Sequence, residues 1–102
     1  MKCLTLIIHE SIEQELIDMF RQMPEVTGYT FIRGEGRSDD TGRNPFETTR
    51  DRVMGFVPRV RVDLILEDEA VETVMFRLQG CDSCVNGMGV WWTSPVEQWG
   101  QL

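Results

Sequence analysis

Hydrophobic alternation begins at Lys2–His9, where Leu4, Leu6 and Ile8 share one face of a short β-type run. Ser11 follows, with Gln14 three residues on, which predicts a helix N-cap completed by a capping box. Ile12, Leu16, Met19, Phe20 and Met23 then recur at helical spacing, while Glu13, Asp18, Arg21 and Gln22 take the wet side. Pro24 predicts the end of that helix near Met23. After Gly28, the β-branched and aromatic run Tyr29 to Arg33 predicts a second strand. The clearest period of two lies in Phe56 to Leu66, where Val60, Val62, Leu64 and Leu66 alternate with Arg59, Arg61, Asp63 and Ile65. Pro58 suits the start of that strand or an edge. Asp68 is expected to cap a second helix carrying Val71, Val74, Met75 and Leu78, with Gly80 as its stop. Val90–Trp91–Trp92–Thr93 predicts the last strand, and Pro95 and Gly100 break up a tail holding Val96 and Trp99.

The order βαββαβ predicts an α+β, ferredoxin-like sandwich: an antiparallel sheet with both helices on one face, in a single domain over 1–102. The opposite face would carry Arg59, Arg61, Asp63 and Ile65 beside apolar groups of other strands. Large exposed apolar patches are rare on monomers, so a symmetric assembly is expected to cover that face. From Gly34 to Gly55 periodicity disappears, in a segment with five acidic and four basic residues. Structureless connections of this length are uncommon inside compact domains and are usually functional or disordered. A solvated, mobile excursion over 36–55 is the expectation.

Composition narrows the function classes. Hydrophobic residues make up 41% and charged residues 26%, ordinary values for a globular chain. Ten Lys+Arg against seventeen Asp+Glu give a net charge of −7, the wrong sign for electrostatic nucleic-acid binding. The longest apolar runs fall far short of the ~20 residues of a membrane span. Three cysteines, an odd number without a secretory signal, point to a reducing, cytoplasmic setting. Nine of the ten basic residues are arginines, and Arg33, Arg37, Arg59 and Arg61 are expected to cluster on the sheet face and the loop. A core this small makes oligomerisation an expectation in itself.

Three features carry candidate chemistry. His9, the single histidine, lacks the nucleophile and orienting acid of a triad, and the acidic residues fall on solvated helix faces; neither indicates an enzyme. Cys81-Asp-Ser-Cys84 is the sharpest local motif, since two thiols at this spacing can chelate a soft metal or form a redox disulfide. A structural zinc site wants four ligands, so several copies would have to pool their pairs, with Cys3, His9 and methionines as further donors; inert thiols are the plain alternative. Gly34-Glu-Gly-Arg37 opens the long loop, where glycines admit an anion close to backbone N–H groups and Arg37 adds a positive fork. Asn86-Gly87-Met88-Gly89 is a second glycine-rich turn just before the last strand.

Taken in order, the short first strand and helix, Gly28-Tyr-Thr, Gly34-Glu-Gly-Arg37, the long excursion, and Val60 to Leu66 followed by Glu67 resemble the P-II-like superfamily of trimeric signalling proteins. The ending Trp91 to Leu102, with Arg50-Asp-Arg-Val-Met-Gly55 upstream of the third strand, is most similar to a branch whose genes tend to lie beside heavy-metal efflux pumps. A carboxysome-associated branch that binds adenine nucleotide and bicarbonate is the nearest alternative. The resemblance implies a homotrimer with ligand held in clefts between subunits, non-enzymatic, the excursion serving as a T-loop that engages a transporter or efflux pump. It places Gly34, Gly36 and Arg37 at the loop base, facing Asn86, Gly87, Met88 and Gly89 of a neighbour. The chain lacks the B-loop lysine and the paired arginines of nucleotide-binding members, and Tyr29 lies in a strand rather than on the loop. What the resemblance leaves as ligand is a small anion such as bicarbonate, an adenine nucleotide held by backbone, or a soft metal at Cys81 and Cys84. A divalent-cation-tolerance-like metal protein and a dimeric ferredoxin-like enzyme are the alternatives.

Overall fold

The computed structural model describes residues 1–37, 56–80 and 89–102. Strand β1 (Lys2–His9) leads through a 3₁₀ turn (Glu10–Ile12) into helix α1 (Glu13–Arg21). Strands β2 (Thr30–Gly36) and β3 (Val57–Leu66), helix α2 (Asp68–Gln79) and strand β4 (Gly89–Pro95) complete the order. The four strands form one sheet ordered β2-β3-β1-β4, and every adjacent pair is antiparallel. β1 is therefore parallel to β2 with β3 between them, and β3 parallel to β4 with β1 between them. Each helix connects such a split pair, which is the expected ferredoxin-like arrangement.

The period of two decides which sheet face the helices cover. Leu4, Leu6 and Ile8 stand opposite Leu64, Val62 and Val60 in the β1–β3 register, and all six are buried. Ile12, Leu16, Phe20 and Met23 cover them from the first helical segment; Ala70, Val74, Met75 and Leu78 do so from α2. Spacing of three and four residues puts those groups on one stripe of each helix. Met19 and Val71, expected in the core, are only partly buried at its margin. Arg77 donates to the Gln22 carbonyl at 3.3 Å, so the last turn of α2 caps an orphan acceptor at the end of α1.

Local details differ from the sequence expectation in four places. His9, not Ser11, caps the first helical segment: its Nδ1 accepts from the Ser11 N–H at 3.1 Å and lies 2.9 Å from the Ser11 hydroxyl. Glu67 occupies the N-cap of α2, with no side-chain capping bond, while Asp68 pairs with the Met1 ammonium at 3.0 Å. β2 runs on through Gly34 and Gly36 instead of ending at Arg33, because Arg59, Pro58 and Val57 of β3 remain opposite them. Arg33 points to the helix side, where its guanidinium donates to both Glu13 carboxylate oxygens at 3.1 and 2.9 Å, and so does not join Arg59 and Arg61 on the other face.

Candidate functional site

The face without helices is built by the residues that alternate with the core. One cross-strand row runs Ile32, Arg61, Ile7, Val90; the next runs Thr30, Asp63, Thr5, Trp92. Ile32, Val90 and Trp92 are 56%, 51% and 42% exposed, so this face is apolar and wet at once. Its centre is polar and tightly bonded. The Thr5 hydroxyl, 1% exposed, donates to Asp63 Oδ1 at 2.7 Å, and Arg61 Nε donates to Asp63 Oδ2 at 3.0 Å. The Cys3 thiol lies 3.8 Å from both Asp63 Oδ1 and the Thr5 hydroxyl. Arg61 also stands over the Trp92 ring, 5.8 Å from its centroid, a cation–π distance.

Asp63 feels opposing influences. Partial burial pushes its pKa up, but hydrogen bonds from Arg61 and Thr5, the Arg61 charge and the Cys3 thiol together outweigh it, and the net shift is downward. The carboxylate is thereby held ionised between a cation and a hydroxyl. This is the chemistry of a rigid charge pair in an apolar surround rather than of a proton-transfer group.

At one end of the same face, Gly34, Arg59 and His9 stand in one row, with Gly36 beyond them. A Cβ at Gly36 would lie 2.7 Å from Arg59 Cδ, so the missing side chain makes room for the arginine stem; Gly34 has open space instead. Arg37, exposed, follows directly. The structure thus sets Gly34 and Gly36 beside Arg59, with Arg37 directly after them; of the arginines expected to cluster on the sheet face and the loop, Arg59 is brought to the loop base by the β2–β3 register. Gly89 lies at the same end of the sheet, opposite Ile8, but on the far edge. Three strand spacings, about 14 Å, separate the two edges, so Gly89 and Gly34 of one chain are not neighbours. A Cβ at Gly89 would collide with the Ile7 carbonyl oxygen, which gives this glycine a packing reason of its own.

Asn86, Gly87 and Met88, the thiols Cys81 and Cys84, and the excursion from 38 to 55 lie outside the described residues. Cys3 and His9, named above as further metal donors, stand near opposite ends of β1, about 20 Å apart along the strand. Among the described residues, no group of three or more His, Cys, Asp or Glu could hold a metal ion. No helix among them is long and apolar enough to cross a membrane.

Over residues 1–102 the sequence matches the family described as Protein of unknown function (DUF3240). The chain belongs to this family. A DUF3240 family protein from Shewanella baltica OS155 superposes with a TM-score of 0.76 at 16% identity, covering 99% of this chain and 94% of that one. A protein from Thermus thermophilus classed as PII-like signalling superposes with a TM-score of 0.60 at 17% identity, covering 91% of this chain and 82% of that one. At these identities the likeness establishes the fold, a ferredoxin-like sandwich of the P-II-like kind, for this DUF3240 chain. None of the curated proteins matches the sequence.

Proposed function

We propose that this DUF3240 protein is a non-enzymatic, P-II-like regulatory protein, cytoplasmic and homotrimeric, that senses a small ligand between subunits and signals through its long loop. The observation that carries the reading is the pairing of β2 with β3 out to Gly36 and Val57. A two-stranded stalk at the loop base is a rigid lever: a ligand held there would bias the 36–55 segment, and with it the surface offered to a transporter or efflux pump. The likeness in fold to the PII-like protein of Thermus thermophilus supports the same assignment.

Gly34, Gly36 and Arg37 would form one wall of the ligand cleft, with Asn86, Gly87, Met88 and Gly89 of a neighbour as the other. Gly34 and Gly89, at one end of the sheet but on opposite edges, fit a site completed between copies. Arg37, exposed at the loop base, offers a small anion or a phosphate a guanidinium group, the side chain best matched to oxyanions. Self-association is supported by the half-exposed Ile32, Val90 and Trp92 around a charge pair that is neutral overall.

A thermal-shift panel tests the ligand. ATP, ADP, AMP, cyclic AMP or bicarbonate is expected to raise the melting temperature of the full chain, and Arg37→Ala to reduce that rise. No response to any of the five would remove the ligand reading.

A further inference from the structure

His9 is the single histidine of the chain and, at 6% exposed, one of two buried polar side chains among the described residues. It belongs to no group of metal ligands among them. A backbone N–H can only donate, so the 3.1 Å contact from the Ser11 N–H makes Nδ1 the acceptor and puts the proton of the neutral ring on Nε2. The Ser11 hydroxyl lies 2.9 Å from the same Nδ1 and can serve it in either sense, as donor or as acceptor. A second proton on the ring reverses the arrangement. Nδ1–H can then only donate, the Ser11 hydroxyl oxygen is within reach to accept it, and the Ser11 N–H loses its partner.

The charge gained does not stand alone. Arg59 is the register partner of His9, with Cα atoms about 5 Å apart, and Gly34 is next in the same row. Arg59 Cδ in turn fills the space that a side chain at Gly36 would need. Among the described residues, the other charged groups on the surrounding elements are three. Arg61, two residues along β3, is held by Asp63; Glu13 of α1 is engaged by Arg33; Glu10 of the 3₁₀ turn is exposed. An imidazolium at His9 is therefore buried opposite a guanidinium, and the repulsion is relieved when Arg59 moves away from its seat beside Gly36.

We propose that His9 is a proton-operated switch: neutral, it caps the first helical segment; protonated, it releases that cap and displaces Arg59 from the loop base. Histidine ordinarily changes charge between about pH 5 and 8, the interval in which such a switch is of use to a cell. The switch needs no bound ligand and stands whether or not the anion reading above holds.

Nitrogen-15 NMR of the full chain tests it, because one histidine gives one pair of ring signals. Near pH 8, Nδ1 is expected to be bare and Nε2 protonated. Between about pH 8 and 5, the backbone amides of Ser11, Arg59 and Gly36 should shift along the same curve as the ring. His9→Asn keeps a side-chain acceptor for the cap and has no ring to titrate, so those shifts should be lost while the circular dichroism stays that of the wild type. A proton on Nδ1 at pH 8 would overturn the switch, as would a ring that does not titrate in this interval. Ser11 shifting without Arg59 and Gly36 would overturn the link to the loop base, and shifts persisting in His9→Asn would assign them to another group. Should His9→Asn fail to fold, the wild-type curves decide alone.

Discussion

Thr5 and Asp63 face each other across the β1–β3 ladder, and the buried Thr5 hydroxyl donates to the carboxylate at 2.7 Å. The bond fixes the position from which Asp63 holds Arg61, and Arg61 in turn lies over Trp92. One buried hydroxyl thereby orders a chain of contacts across three strands of the open face. Thr5→Val keeps the shape and removes the donor, so it should cost about 1 kcal/mol, read from urea unfolding. Thr5→Ser should retain most of the stability.

The depressed pKa of Asp63 makes part of the stability pH-dependent. An aspartate lower in the folded than in the unfolded state contributes stability that is complete above the unfolded pKa, near 4, and is lost as pH falls through the folded value. The urea midpoint of the wild type is therefore expected to fall on acidification below about pH 4. Asp68, held low by its hydrogen bond to the Met1 ammonium, adds to the same trend from an exposed site. Asp63→Asn should flatten the fall; an unchanged slope would mean that Asp63 is not held low.

The two glycines at the loop-side end of the sheet should behave oppositely. Gly89→Ala drives a Cβ into the Ile7 carbonyl oxygen, a backbone contact that cannot swing aside, and β4 must shift away from β1. A loss of roughly 1–3 kcal/mol is expected, seen as a lower melting temperature without any ligand. Gly34 has open space around its missing Cβ and no left-handed backbone, so Gly34→Ala should be neutral or slightly stabilising. Any loss of ligand response in Gly34→Ala would then report on binding rather than folding.

What the sequence disclosed and what it hid follow from where information is local. Val60 to Leu66 alternates over a length only a half-buried strand explains, and the helix stripes at Leu16, Phe20, Val74 and Leu78 complete the fold. Gly34 and Gly36 read as a loop because glycine is a poor strand former; they are held in β2 by partners on β3 that lie more than twenty residues away. Arg33 was misplaced for a different reason. Counting by two from Phe31, which packs against the core, puts Arg33 on the helix side, so the signal was present but overshadowed by the net charge pattern. The clustering of Arg37 and Arg59 was expected from the sequence, but the specific placement of Arg59 opposite Gly34 and beside Gly36 comes from the β2–β3 register, which no local pattern supplies.

His9 tests a structural role against a catalytic one. Its Nδ1 serves the Ser11 N–H, the work a serine or aspartate usually does at a helix start. His9→Ala should cost about 1 kcal/mol of stability, and His9→Asn, which can present a side-chain oxygen to the same N–H, should restore part of it. Ligand response in the thermal-shift panel should survive both changes.

The open face offers the most direct handle on assembly. Val90 ends the row Ile32, Arg61, Ile7, Val90, with Trp92 two residues along the same strand and the same face. In the single chain Val90 is half exposed, so Val90→Glu should leave the fold intact, since no buried neighbour has to accept the charge. In an assembly that covers this face, the same carboxylate would be buried next to apolar groups of another copy, with Arg61 already engaged by Asp63. Light scattering should then report a mass near three chains for the wild type and near one for Val90→Glu at the same concentration. A trimer that survives the substitution would place the interface elsewhere on the molecule, because a newly buried carboxylate without a partner costs more than a single contact returns.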